Sequence, residues 1–198
     1  MARVSAAKER QKDATRLRIV EAAVELHSTV GPARTTISAV AERAGVPRLT
    51  VYRHFPDQRE LERACSALAT DRSPPPDPAG WDTLEPSARL RHGLDRLYAY
   101  YASNEGLVGN VLRDAEVLDS TREMVDLRLT PGLRRVRDAL LRAVSPDGDR
   151  SRELVAAVEL AAAFETWRLL VRRRRLSRRA AVDLMAAFVT HAAAGSAN

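Results

Sequence analysis

Apolar residues recur at three- and four-residue steps from Thr15 onward. Ile19, Ala22, Ala23, Leu26 and Val30 fall on one side, with Arg18, Glu21 and Glu25 opposite. That spacing predicts an amphipathic helix, and Gly31-Pro32 stops it. Thr36 is a good N-cap for a second helix, whose positions Ile37, Val40, Ala41 and Ala44 share one face over two turns. Gly45 stands where a left-handed residue closes so short a helix. Pro47 fits the first turn of a third helix, because its missing N–H loses nothing there. That helix runs from Arg48 to Phe55, with Val51 and Phe55 as inward anchors. Pro56 breaks it, Asp57 caps the next, and Leu61, Ala64, Cys65 and Leu68 give the fourth helix its buried stripe.

Four of the five residues from Pro74 to Pro78 are proline, which holds the backbone extended and marks a linker. Helical spacing returns over 87–104, roughly 105–119, 120–143, 150–174 and 177–194. Thr130-Pro131-Gly132 is expected to kink or divide the third of these, and Ser145 to Asp149 to form a loop. No two-residue alternation survives anywhere, and aromatics make up only 5% of the chain, so sandwiches and barrels are disfavoured. The expected fold class is all-α with about nine helices. Its expected division is a flexible basic arm over 1–14, a three-helix domain over 15–63 and a helical domain over 64–198.

The chemistry of catalysis is hard to place on these 198 residues. Cys65 is the only cysteine, which excludes an intrachain disulfide and a cysteine-built zinc site. His27, His54, His92 and His191 are widely separated, and no nucleophile elbow or phosphate-cradling glycine loop occurs. The expectation is a protein that is not an enzyme, with no catalytic residues, no metal and no cofactor. The first fifteen residues lack the apolar core of a secretory signal, and no uncharged apolar stretch reaches membrane-span length. No membrane partner and a cytoplasmic address are therefore expected.

Charge adds a positive clue. The net charge is +6, and residues 1–63 hold 12 basic against 8 acidic side chains while the remaining 135 hold 20 against 18. A basic first third on a nearly balanced body suits a polyanionic partner such as nucleic acid. Within that third, helix, tight turn at Gly45 and second helix make a helix-turn-helix, in which one helix braces another whose polar face enters the major groove.

The segment Thr36-Ile-Ser-Ala-Val-Ala-Glu-Arg-Ala-Gly45-Val-Pro-Arg-Leu-Thr-Val-Tyr52-Arg-His-Phe55 goes further than the generic pattern. It resembles the DNA-binding domain of the TetR family of bacterial transcriptional regulators, strongly over residues 15–63, and Asp57-x-x-Glu60-Leu61 resembles that family's entry into the fourth helix. The resemblance implies base-reading positions at Arg48, Leu49 and Arg53, with Leu49 alternatively a core-edge residue. It implies phosphate contacts from Thr36, Thr50, Tyr52 and His54, supplemented by Arg34 and Arg43. Pro47 replaces a serine common in the family, and Gln58 replaces a phosphate-binding lysine for which Arg59 is the substitute.

The same resemblance implies a second domain that binds a small-molecule effector and forms a homodimer through its last two helices, so that two copies reach a palindromic DNA operator. Interior effector candidates are Tyr98, Tyr101, Asn104, Met124, Arg128, Phe164 and Trp167, each of which could equally be ordinary core. The run Arg172 to Arg175 is expected to serve a helix C-terminus, where cations meet the negative end of the dipole. The implied function is a ligand-released repressor. The alternative is a helical ligand-binding or protein-interaction protein whose helix-turn-helix no longer binds DNA.

Overall fold

Gly31 and Gly45 set the geometry of the N-terminal helices. In the computed structural model, which describes residues 2–145, 148 and 150–195, α1 spans Ala2–Thr29, α2 Ile37–Ala44, α3 Arg48–His54 and α4 Gln58–Arg72. Thr36 caps α2 by accepting a hydrogen bond from the Ala39 N–H at 3.1 Å. Gly45 closes it at φ 64°, with its own N–H on Glu42 O and the Val46 N–H on Ala41 O. This pair of bonds satisfies the last carbonyls at a backbone angle that L side chains resist. Asp57 caps α4 by accepting from the Arg59 N–H at 3.0 Å. Pro47 sits one position earlier than expected, as the N-cap of α3, where its carbonyl accepts from the Thr50 N–H at 2.8 Å.

The chain is divided into two compact units that interleave along the sequence. The first comprises Met1–Pro74 and Glu105–Leu129, the second Pro75–Asn104 and Thr130–Asn198. In the first unit, Ile19, Ala23 and Leu26 of α1 pack with Val40 and Ala44 of α2, Val51 and Phe55, and Leu61 and Cys65 of α4. Helix α6 (Glu105–Ala115) packs on α1, and α7 (Asp119–Met124), continued by a π-helical turn over Val125–Leu129, packs on α4 and α6.

A polar clasp fixes α6 to the end of α1. The buried Asp114 carboxylate accepts from the Ala33 N–H at 2.9 Å and from Arg113 Nε at 2.7 Å. Arg113 also donates to Val30 O, and Asn110 Nδ2 donates to His27 O and Ser28 O. Burial alone would raise the Asp114 pKa, but the bonds from Arg113 and Ala33 hold it below the usual carboxylate value. Gly31, at φ 94°, leaves room for this clasp, since a Cβ there would meet Arg113 Nη2 and Asp114 Oδ2.

Two expectations about helix extent are corrected. The basic segment 1–14, read as a flexible arm, carries the α1 ladder back to Ala2. Ala6, Ala7, Glu9, Gln11 and Lys12 are strong helix formers, and the Lys12–Glu9 pair at 3.5 Å adds a little. The helix expected over 150–174 is interrupted: α9 (Arg152–Ala162) stops at Ala163, whose ψ of 140° is extended, and α10 (Phe164–Trp167) runs on into a π-helical stretch over Arg168–Arg173. The carbonyls left open by the break accept from side chains of α5 (Pro86–Ser103): Tyr98 Oη donates to Ala161 O at 2.9 Å and Tyr101 Oη to Ala162 O at 2.8 Å.

Division near Pro131 follows expectation. The π-helical turn precedes α8 (Thr130–Val144), where Pro131 can offer no N–H to the carbonyl four residues back. Pro146, Asp147 and Asp149 of the expected loop lie outside the described residues, as do the last three residues of the chain. Helix α11 (Arg178–Gly195) completes the second unit, whose core joins Leu94, Leu97 and Tyr98 to Val136, Leu140, Val158, Trp167, Val182 and Val189. Among the described residues there is no strand, no helix long and apolar enough to cross a membrane, and no cluster of three metal-ligating side chains.

His27, half-buried beside the buried Cys65, gives the first unit a pH dependence. Cys65 Sγ lies 3.5 Å from His27 Nδ1, and burial pushes the thiol up to about 12, so it stays protonated. Burial lowers His27 to about 4 from 6.5, against a weaker opposing pull from Asp114. The unfolded chain therefore binds a proton on His27 that the folded unit refuses between pH 6.5 and 4. Stability is complete above 6.5 and is predicted to fall by up to about 3 kcal/mol as the pH drops to 4. Denaturant unfolding of wild type and His27→Gln across that range checks it. The slope should flatten in the variant, and an equal slope in both would refute the assignment.

Candidate nucleic-acid interface

Helix α3 has only seven residues, and its two faces differ sharply. Val51 and the following anchor Phe55 are buried in the first unit's core, while Arg48, Leu49, Tyr52 and Arg53 point to solvent. Leu49 is 69% exposed and Tyr52 45%. The core-edge alternative for Leu49 is thereby removed. A leucine and a tyrosine are thus held in water between two arginines, on the face turned away from the core.

Several other sequence candidates surround this face. Thr36 is exposed, and because its Oγ1 serves α2 as acceptor, its hydroxyl hydrogen remains available to a phosphate oxygen. Thr50 is half-buried in the first turn of α3, and Arg34 and Arg59 are exposed on adjoining elements. Arg43 is engaged by Glu25 of α1 in a short ion pair, which competes with any phosphate. Gln58 gives its amide to Glu62 at 3.1 Å. His54 is half-buried, and its pKa is lowered first by burial and then by Arg16, Lys12 and Arg53. It enters neutral solution uncharged, with one ring N–H to donate.

Arg16 is a functional neighbour that the helix-turn-helix motif does not contain. Its Nη1 donates to His54 O at 2.8 Å, and its guanidinium lies 4.0 Å from the centre of the Phe55 ring. One side chain of α1 thus both caps the last turn of α3 and stacks on its anchor. The only sequence signal for it is register. Arg16 stands three and four residues before Ile19 and Val20, so it continues the buried stripe with a charged tip.

The effector candidates are divided between the two units. Tyr101, Phe164 and Trp167 come together in the second unit, with Tyr101 and Phe164 edge to face at 5.4 Å and Phe164 and Trp167 centroids 5.3 Å apart. The Tyr98 and Tyr101 hydroxyls are engaged by α9, and burial raises both pKa values. Asn104 caps its own helix by donating to Tyr100 O at 2.9 Å. Met124 and Arg128, expected in the interior of the second domain, fall in the first unit. Met124 Sδ accepts from Ser66 Oγ, and Arg128 is exposed. The reason is the packing of α7 and its π-helical turn on α4. Trp167 is wholly buried, and its indole N–H meets no acceptor among the described residues.

Residues 19–65, from the end of α1's basic half through the first half of α4, match the family model described as bacterial regulatory proteins, tetR family. That match marks residues 19–65 as a TetR-type N-terminal domain. Solved structures agree on the fold. A Clostridium perfringens protein named for a proposed role in regulating fatty acid metabolism shares 16% identity at a TM-score of 0.66, covering 88% of this chain and 97% of its own. A tetR-family transcriptional regulator from Streptomyces coelicolor shares 23% identity at a TM-score of 0.54, covering 92% of this chain and 82% of its own. No curated protein matches the chain. Within this TetR-family domain, α3 occupies the second helix of the helix-turn-helix, and its exposed face is the surface the motif turns outward.

Arg16 yields a prediction. Arg16→Ala should lower the stability of the helix-turn-helix by about 1–2 kcal/mol, from one hydrogen bond and one cation–π contact. Arg16→Lys should recover part of it. Thermal melts of the three proteins measure this, and an alanine variant as stable as wild type would show that Arg16 does not brace α3.

Proposed function

We propose that this chain is a TetR-family regulator, a sequence-specific DNA-binding transcriptional repressor. In this reading it acts in the cytoplasm as a homodimer on a palindromic operator and is released by a small effector. The observation that carries the DNA-binding part is the two-faced α3, with Val51 and Phe55 buried and Arg48, Leu49, Tyr52 and Arg53 exposed. Arg48 and Arg53 supply guanidinium forks for guanine O6 and N7, and Leu49 an apolar surface for a thymine methyl. Thr36, Thr50, Tyr52 and His54 donate to phosphates, with Arg34 and Arg59 adding charge and Arg43 joining once Glu25 lets it go.

Dimerisation through the last two helices is supported by apolar side chains left in water there. Leu184 and Phe188 lie one turn apart on α11 and are both exposed, as are Leu160 and Leu169 on the preceding helices. Apolar side chains exposed in this way suit burial against a second copy across a two-fold axis. Effector binding is supported by Trp167, whose buried N–H a ligand acceptor would satisfy. Release then follows if the effector favours a dimer whose α3 helices are wrongly spaced for the operator. On this reading residues 15–63 read DNA, and 64–198 hold the effector and the dimer contact.

Selection from a random duplex pool by the full chain tests the proposal. The expected product is a palindrome whose half-sites are centred about one helical turn apart. Arg48→Ala should lose about 1–3 kcal/mol of discrimination at a single base pair per half-site, with the fold retained. A pool that enriches nothing, or binding that survives Arg48→Ala and Tyr52→Ala unchanged, leaves a helical ligand-binding or interaction protein instead.

A further inference from the structure

The four consecutive arginines Arg172–Arg175 belong to the second unit, whereas α3 belongs to the first. Their expected service to a helix C-terminus is only partly what the structure contains. The helix does end there, but backbone groups take its last carbonyls: the Arg174 N–H donates to Leu169 O at 2.8 Å and the Leu176 N–H to Leu170 O at 3.0 Å. The guanidinium groups are therefore not needed as caps.

Seven arginines lie between Arg168 and Arg179. Four are engaged. Arg168 pairs with Glu165 at 2.6 Å, Arg178 with Asp95 at 2.7 Å and Arg179 with Asp183 at 3.9 Å, while Arg172 lies 5.2 Å above the Trp167 ring. Arg173, Arg174 and Arg175 are exposed, and their side chains meet no anionic or hydrogen-bonding partner among the described residues. Arg175 also adopts φ 57°, the one non-glycine residue with positive φ among those described. A Cβ crowds the following carbonyl in that conformation, so glycine would be the less strained choice. No described residue gives the Arg175 side chain an ionic or hydrogen-bonding partner that would compensate for this strain.

The turn has a definite place in the second unit. The Arg91–Asp183 and Arg178–Asp95 pairs show α5 and α11 running antiparallel. Arg178, three residues past the turn, pairs with Asp95 of α5 at 2.7 Å, which ties the start of α11 to that helix.

We propose that the Arg173–Arg175 turn is a second, sequence-independent contact for the phosphate backbone of duplex DNA, separate from the bases read by α3. It rests on the DNA-binding reading above. Guanidinium forks match phosphate oxygens, and three cations on successive residues suit charges that recur about every 3.4 Å along the axis of each strand. No acidic residue interrupts 172–179. The turn has no aromatic ring on which a single-stranded base could stack, and its one large apolar residue, Leu176, is half-buried and unsuited to entering a bilayer.

The test uses the full chain and the triple variant Arg173→Gln, Arg174→Gln, Arg175→Gly. Glycine suits the φ at 175, so the variant should melt no lower than wild type. Affinity is measured against salt on a duplex of mixed sequence and on the duplex that α3 prefers. The variant should bind both about an order of magnitude more weakly at moderate salt, with base preference unchanged. Its log–log salt slope should be shallower by about 0.9 for each phosphate that the turn no longer neutralises. Unchanged affinity and slope overturn the inference. So does weakened binding to phosphatidylserine vesicles or to poly-glutamate but not to duplex, which would assign the turn to a lipid surface or an acidic protein. Arg48→Ala is run in parallel. If it loses base preference while the turn variant binds like wild type, only this inference fails; if wild type binds no duplex, the DNA-binding reading fails with it.

Discussion

Burial of the α1 stripe against Val51 and Phe55 is the interaction on which the proposed reading surface depends. A seven-residue helix has almost no independent stability in water, because nucleating one turn fixes several residues for a single hydrogen bond. Helix α3 exists because its two anchors join a core with Ile19, Ala23, Leu26, Val40 and Leu61. Each such side chain contributes about 1.5–3 kcal/mol on removal from water. With that face committed, the opposite face must look outward, and Arg16 fixes the last turn from the side. The exposure of Leu49 and Tyr52 is then a consequence of the same packing that makes the helix.

A second constraint is polar. The clasp of Asn110, Arg113 and Asp114 on the end of α1 brings α6 into the first unit although some seventy residues of chain intervene. It is a network whose members satisfy one another, and its carboxylate stays charged in a buried place because donors converge on it. In the second unit the Tyr98 and Tyr101 hydroxyls play a comparable part, donating to two carbonyls that the break at Ala163 leaves open. Both devices let the chain depart from regular helix without orphaned buried backbone groups.

How much of this is legible in the sequence depends on the range of the interaction. Caps and stops are local chemistry, and Thr36, Gly45, Asp57 and Pro131 announce their elements directly. The inward anchors Val51 and Phe55 follow from a four-residue step. The clasp is not local: Asp114 and Ala33 are 81 positions apart, and no periodicity links them. The break at Ala163 has no proline or glycine to signal it, because the partners that stabilise it are tyrosines on α5. Around α3 the exposed residues are readable from the motif, whereas Arg16, which reaches them from α1, and the engagement of Arg43 by Glu25 require the folded chain.

The central claim is that the outward face of α3, and not its buried anchors, meets base edges. Solution NMR of the full chain titrated with its selected duplex addresses this most directly. The account predicts large perturbations of the Leu49 methyls, the Tyr52 ring and the Arg48 and Arg53 side chains, with the Val51 methyls and the Phe55 ring nearly unmoved. Perturbations centred elsewhere, with the Leu49 and Tyr52 signals unchanged at saturation, would contradict it.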